Sequence, residues 1–71
     1  MQLKLIFVDD YEFEAKDGKN AGKKYHIYIF IDPNSLTKIT GTDLNMTFEK
    51  YKVYGCKVEF NGGKLKVVSV Q

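Results

Sequence analysis

The residues best equipped for chemistry lie in one run, residues 17–32, DGKNAGKKYHIYIFID. Lys16, Lys19, Lys23 and Lys24 surround a loop punctuated by Gly18 and Gly22. The ten residues that follow carry Tyr25, His26, Tyr28 and Phe30 among isoleucines. Lysines neutralise phosphates and aromatic rings stack on bases. A basic loop feeding an aromatic strand is therefore an arrangement by which a small β-barrel holds a nucleic-acid strand. Alternation puts Tyr25 with Ile27, Ile29 and Ile31 on one face, and His26 with Tyr28, Phe30 and Asp32 on the other. Both tyrosines cannot enter one core. One of them is therefore a candidate base-stacking ring, and Tyr54 is a weaker candidate whose face depends on where its strand bulges. His26, beside two lysines, is read as a surface or phosphate contact.

Other chemistries are poorly supplied. One histidine (His26) and one cysteine (Cys56) fall short of the roughly four ligands of a zinc site within a chain, so no metal or cofactor is expected. Cys56 sits in a strand pattern and reads as a small buried hydrophobe. Asp10, Glu12 and Glu14 share one face of a strand, where a solvated surface explains them better than an acid–base pair. The spacing from Gly18 to Gly22 is too short for a phosphate-cradling loop and lacks the following Ser/Thr and helix. With Ser35 and Ser69 as the only serines and no arginine, the chain is not expected to be an enzyme.

The elements that position these residues belong to a single small domain, residues 1–71, near the lower limit for a self-sufficient core. That limit favours burial against a second copy. Net charge is only +2, but it is divided: residues 1–17 carry two lysines against five carboxylates, −3, and residues 18–71 carry nine against four, +5. The chain shows no basic-then-apolar leader and no apolar run near the roughly twenty residues of a membrane helix, so a soluble, cytoplasmic protein is expected.

Residues 2–16 alternate as one long strand, bent near Asp9 and Asp10, with Leu3, Leu5, Phe7, Tyr11, Phe13 and Ala15 on its buried face. A turn over 17–22 leads to a strand over 23–32, and Asp32-Pro33-Asn34-Ser35 is a second turn. Residues 36–40 make a short strand, and 41–50 an irregular connection with room for one helical turn. Residues 51–60 form a strand with a bulge at Gly55, where the apolar phase changes. Asn61-Gly62-Gly63 is a tight hairpin, and 64–70 are its return strand, shifting phase before Val68. Phe7, Phe13, Phe48 and Phe60 are read as core. Five short antiparallel strands of this kind predict an all-β, OB-like or SH3-like barrel, the long first strand favouring OB.

The order and spacing of Gly18-x-x-x-Gly22-Lys23-x-Tyr25-x-Ile27, Lys38-Ile39-Thr40 and Tyr51-x-Val53 with its glycine hairpin resemble the filamentous-phage gene V type of helix-destabilising, single-stranded DNA-binding protein, over residues 13–70. The resemblance implies an OB-like barrel working as a two-fold dimer in DNA replication, with cooperative, sequence-tolerant binding through a mobile basic wing. It makes Lys16 and Lys19 wing charges, places Lys23 at the wing's return, and gives Tyr25 a base to stack on. Ile27 becomes an apolar contact beside it and Lys38 a groove lysine. The chain departs from that family in having no arginine and in a last hairpin without an aromatic tip.

Together these features lead to the expectation of a sequence-tolerant single-stranded DNA-binding homodimer from a phage, plasmid or other mobile element, with RNA as a possible ligand. A protein-interaction or structural barrel is the alternative. Salt separates the two, because phosphate neutralisation weakens as salt rises and an apolar protein contact does not.

Overall fold

The computed structural model describes all residues, 1–71. Five strands, β1 (Gln2–Glu14), β2 (Lys24–Ile31), β3 (Lys38–Thr42), β4 (Val53–Asn61) and β5 (Lys64–Val70), close a barrel in the order β1-β2-β3-β5-β4. Four of the five junctions are antiparallel. The fifth, β3 with β5, is parallel and short, pairing Thr40 with Lys66 and Gly41 with Val67. The barrel is thus OB-like but mixed, not purely antiparallel. The parallel junction follows from connectivity: the long 43–52 connection carries the chain from the end of β3 across the barrel mouth before the β4–β5 hairpin begins.

β1 is long enough to serve two neighbours. Residues 2–6 pair with β4, and residues 6–14 pair with β2. Val8 has no partner on β2, because Phe7 faces Phe30 and the next pair is Asp9 with Ile29. This extra residue bends β1 where the sequence predicts a bend, and it also reverses the alternation. Leu5 and Phe7 point into the barrel, but beyond Val8 the inward phase passes to Asp10 and Glu12. Tyr11 and Phe13 are thereby turned outward, 50% and 51% exposed. The expected core position of Phe13 is corrected on that ground.

The core comprises Leu5, Phe7, Tyr28, Phe30, Ile39, Cys56, Val58 and Val67. Phe48, from the irregular 43–52 connection, plugs the mouth of the barrel. Its ring stacks on Phe7 at 5.1 Å and meets Tyr28, Phe30 and Tyr54 edge-on at 5.0–5.4 Å. No helical turn forms there; Asp43, Asn45 and Tyr51 instead adopt positive φ. Gly41 is required where β3 meets β5, since a Cβ would lie 2.9 Å from Leu44 Cδ1 and 3.0 Å from the Val67 carbonyl oxygen.

The last two strands also differ in detail from the sequence pattern. Register runs unbroken through Gly55, opposite Lys4, so there is no bulge at that glycine. Tyr54, Cys56 and Val58 share one inward phase, and Tyr51 and Val53 are simply exposed. The bulge falls on β5, where Val68 is skipped between the Lys57–Ser69 and Val58–Val67 pairs, as the phase shift before Val68 predicts. Gly62 and Gly63, both at positive φ, form the two-residue turn between Asn61 and Lys64. Phe60 belongs to the part of this hairpin that extends past the barrel and is 73% exposed, not core. No helix is long and apolar enough to cross a membrane.

Candidate nucleic-acid interface

The β1–β2 hairpin projects because its outer part has no other neighbours. β2 pairs with β3 only from Ile27 onward, so residues 12–14 and 24–26 have no strand neighbours but each other. The tip is closed by Gly22 N–H donating to the Ala15 carbonyl and Ala15 N–H to that of Lys23, around a 3-10 turn at Gly18–Asn20. Gly18 and Gly22 both take positive φ, which explains why glycine stands at those two positions. Lys16, Lys19, Lys23 and Lys24 are all exposed at this tip or at its base.

Below the tip, the outer face of the hairpin is a platform of rings and aliphatic side chains. Phe13 lies across from Tyr25, and Tyr11 across from Ile27. Ile29 and Ile31 extend the same face along β2 and are only partly covered. The Lys23 ammonium sits 5.2 Å from the Tyr25 ring centroid, a cation–π contact that places a free charge beside the ring. Thr42, Thr40 and Lys38 of β3 stand beside Ile27, Ile29 and Ile31, giving the platform a polar edge. Tyr25 and Ile27 thus share one surface with Lys23, and Lys38 borders it.

At the opposite end of the barrel, a cleft of about 500 Å³ opens where β3 and β5 diverge. Lys38, Lys64 and Lys66 line it with Thr37 and Thr40, and no carboxylate does. Of these lysines, sequence reasoning finds only Lys38. The signal for the other two is the alternation Lys64-Leu65-Lys66, which places both lysines on the solvent side of β5. Tyr11 and Phe13 escape the sequence pattern for a different reason: the bulge that turns them outward shows only in the off-phase apolar residues Ile6 and Val8.

The ion pairs sort the lysines. Lys50, Lys52 and Lys57 lie within 3.4–3.9 Å of Asp9, Glu49 and Glu59. None of the wing lysines, nor Lys38, Lys64 or Lys66, has a carboxylate partner. The one acid on the platform side, Asp9, is tied to the Asp10 N–H and to Lys50, which together hold its carboxyl below the ordinary value.

Three candidates stand apart. Lys24 lies on the other face of the hairpin, beside Glu12, His26 and Asp43. His26 turns the same way, and its Nε2 lies 2.5 Å from Asp10 Oδ2, so it does not stand free as a phosphate contact. Tyr54 is packed against Phe48 with its hydroxyl accepting the Glu49 N–H at 2.8 Å, which leaves it in the barrel mouth and away from the platform. Cys56 is fully buried and hydrogen-bonded to the Tyr54 carbonyl, and desolvation pushes its thiol up to about 11. Nowhere do three His, Cys, Asp or Glu side chains gather as metal ligands would. No family model matches the chain, and comparison with curated proteins and with solved structures finds no match.

Proposed function

We propose that the protein binds single-stranded nucleic acid without sequence preference, DNA in the first instance, and performs no chemistry on it. The observation that carries this reading is the segregation of lysines. Every lysine at the wing tip and in the β3–β5 cleft lacks a carboxylate partner, as does Lys4 on β1, while Lys50, beside Asp9 at the platform, and Lys52 and Lys57 are paired. Between the wing and the cleft lysines lies a platform of exposed Tyr11 and Phe13 and half-buried Tyr25 and Ile27. Fold-level analogy adds support, since OB barrels bind oligonucleotides on their strand 2–3 face between the loops joining strands 1–2 and 4–5. Those loops here are the wing and the Gly62–Gly63 hairpin.

In this mechanism the lysines displace counterions from phosphates, and the bases lie on rings whose faces accept any base. Each stacked ring contributes about 1–3 kcal/mol. Absence of arginine removes the bidentate guanine contact that would impose sequence. The protein acts as a homodimer in this reading, with Ile29 and Ile31, only partly covered and further along β2 from the rings, meeting the second copy. The same isoleucines favour a second reading, a docking face for a protein partner.

Titration with oligo-dT decides between them. The chain has no tryptophan, so tyrosine emission reports binding directly. Quenching at low salt that reverses with a log–log slope of about −0.7 per phosphate neutralised supports nucleic-acid binding. No complex at micromolar oligo-dT rejects it. Sedimentation tests the dimer.

A further inference from the structure

We propose that His26 is a positioning residue, the joint that fixes the wing to the barrel, and this role rests on the wing being the ligand-binding device proposed above. Where the hairpin leaves the barrel, β2 loses β3 as a neighbour, and nothing in the strand pairing beyond Ile27 restrains the wing's pitch. His26 stands one residue past that point and makes contacts in three directions. Its ring lies flat on Tyr28, centroids 4.6 Å apart and planes 18° from parallel. Its Nε2 reaches Asp10 Oδ2 on β1, and because a carboxylate only accepts, that ring nitrogen carries the hydrogen. Its main chain is clasped to the 43–52 connection in both senses: His26 N–H donates to Asp43 Oδ1 at 2.9 Å, and Asp43 N–H donates to the His26 carbonyl at 2.8 Å.

These contacts tie a projecting element to fixed ones. Tyr28 is buried and meets the Phe48 plug edge-on. Asp43 begins the segment that carries Phe48, and its positive φ turns the chain out of the strand there. The wing is therefore held to the same aromatic cluster that closes the barrel. Tyr25 follows the wing directly, since it is the neighbour of His26 on β2 with its ring on the opposite face. A loosened joint would leave the lysines and rings in place but poorly aligned. If the aligned pose is then occupied a tenth of the time, apparent affinity falls about tenfold without loss of any contact.

The test compares His26→Ala, Asp43→Ala and Asp43→Asn with the wild type, by oligo-dT titration over a range of salt and by backbone ¹⁵N heteronuclear NOE at Gly18, Asn20 and Gly22. The joint predicts an about tenfold loss of affinity in both alanine variants with an unchanged salt slope, reduced NOE at the wing tip but not at Phe7 or Phe30, and recovery in Asp43→Asn, which keeps the acceptor oxygen. A salt slope shallower by about 0.7 in His26→Ala with a rigid wing would make His26 a phosphate contact and overturn the positioning role. Unchanged affinity and NOE in the alanine variants overturn it equally. Failure of the wild type to bind oligo-dT removes the proposed function, and the NOE comparison then judges the joint alone: lowered values uphold it and unchanged values reject it.

Discussion

Phe13 lies directly across the hairpin from Tyr25, both side chains on the outer face and neither in the core. The pair exists because Val8 is an extra residue in β1. Without that bulge, Phe13 would keep the phase of Phe7 and point inward. One unpaired residue thus converts two would-be core rings, Tyr11 and Phe13, into surface, and sets them beside the tyrosine that the sequence already marks for base contact.

Replacement of either ring should weaken ligand binding without unfolding the barrel. Tyr25→Ala and Phe13→Ala are each expected to reduce oligo-dT affinity by more than about 1 kcal/mol. Both should melt close to the wild type, because neither side chain is buried. Tyr28→Ala is the contrast: it removes a buried ring from the core and is expected to cost about 3–5 kcal/mol of stability, enough to unfold a domain this small. A Tyr25→Ala protein that is itself unfolded would make that ring structural.

The lysines are expected to separate by salt dependence. Changing Lys38, Lys64 or Lys66 to glutamine should make the log–log salt slope shallower by about 0.7 per residue removed. The same change at Lys50, Lys52 or Lys57, which already face Asp9, Glu49 and Glu59, should leave the slope unaltered. Equal effects from both groups would mean that charge alone matters and that the cleft contributes no defined contact.

Much of this barrel is legible in the sequence because a strand's period of two leaves little freedom once turns are placed. The glycine turns at 17–22 and 61–63, the bend near Asp9 and the phase shift before Val68 all come directly from residue type and alternation. The parallel closure of β3 on β5 is not legible, since local pattern carries no record of which distant strand becomes a neighbour. Within the candidate site, the shared placement of Lys23, Tyr25 and Ile27 is readable from alternation, whereas Phe13 and Tyr11 are hidden by a bulge whose only trace is that Ile6 and Val8 break the pattern. Tyr54 departs from its expected place because its ring is claimed by Phe48 and its hydroxyl by the Glu49 amide, partners that irregular chain supplies.

The thiol of Cys56 should behave as a core group. Folding raises its pKa from 9.0 to about 11 by desolvation, so the folded chain keeps the proton over a range where the unfolded chain releases it. Stability from this residue is therefore fully present below about pH 9 and lost as pH rises toward 11. A disulfide reagent added at pH 8 should modify Cys56 no faster than the protein unfolds. Rapid modification of the native protein would place the thiol at the surface.

Two glycines in the strands offer a matched pair, because one has a structural reason and the other has none. A methyl group on Gly41 would press on Leu44 Cδ1 and on the Val67 carbonyl, at the short junction that closes the barrel. The leucine tip can shift, but the backbone oxygen cannot without parting β3 from β5, so Gly41→Ala is expected to destabilise by about 1–3 kcal/mol. Gly55 lies in the regular β1–β4 register, at a φ open to any residue, and a Cβ there would meet nothing within 4 Å. A glycine inside a strand costs about 0.5–1 kcal/mol of backbone entropy relative to alanine, so Gly55→Ala should raise the melting temperature. Denaturant unfolding of the two variants checks both signs.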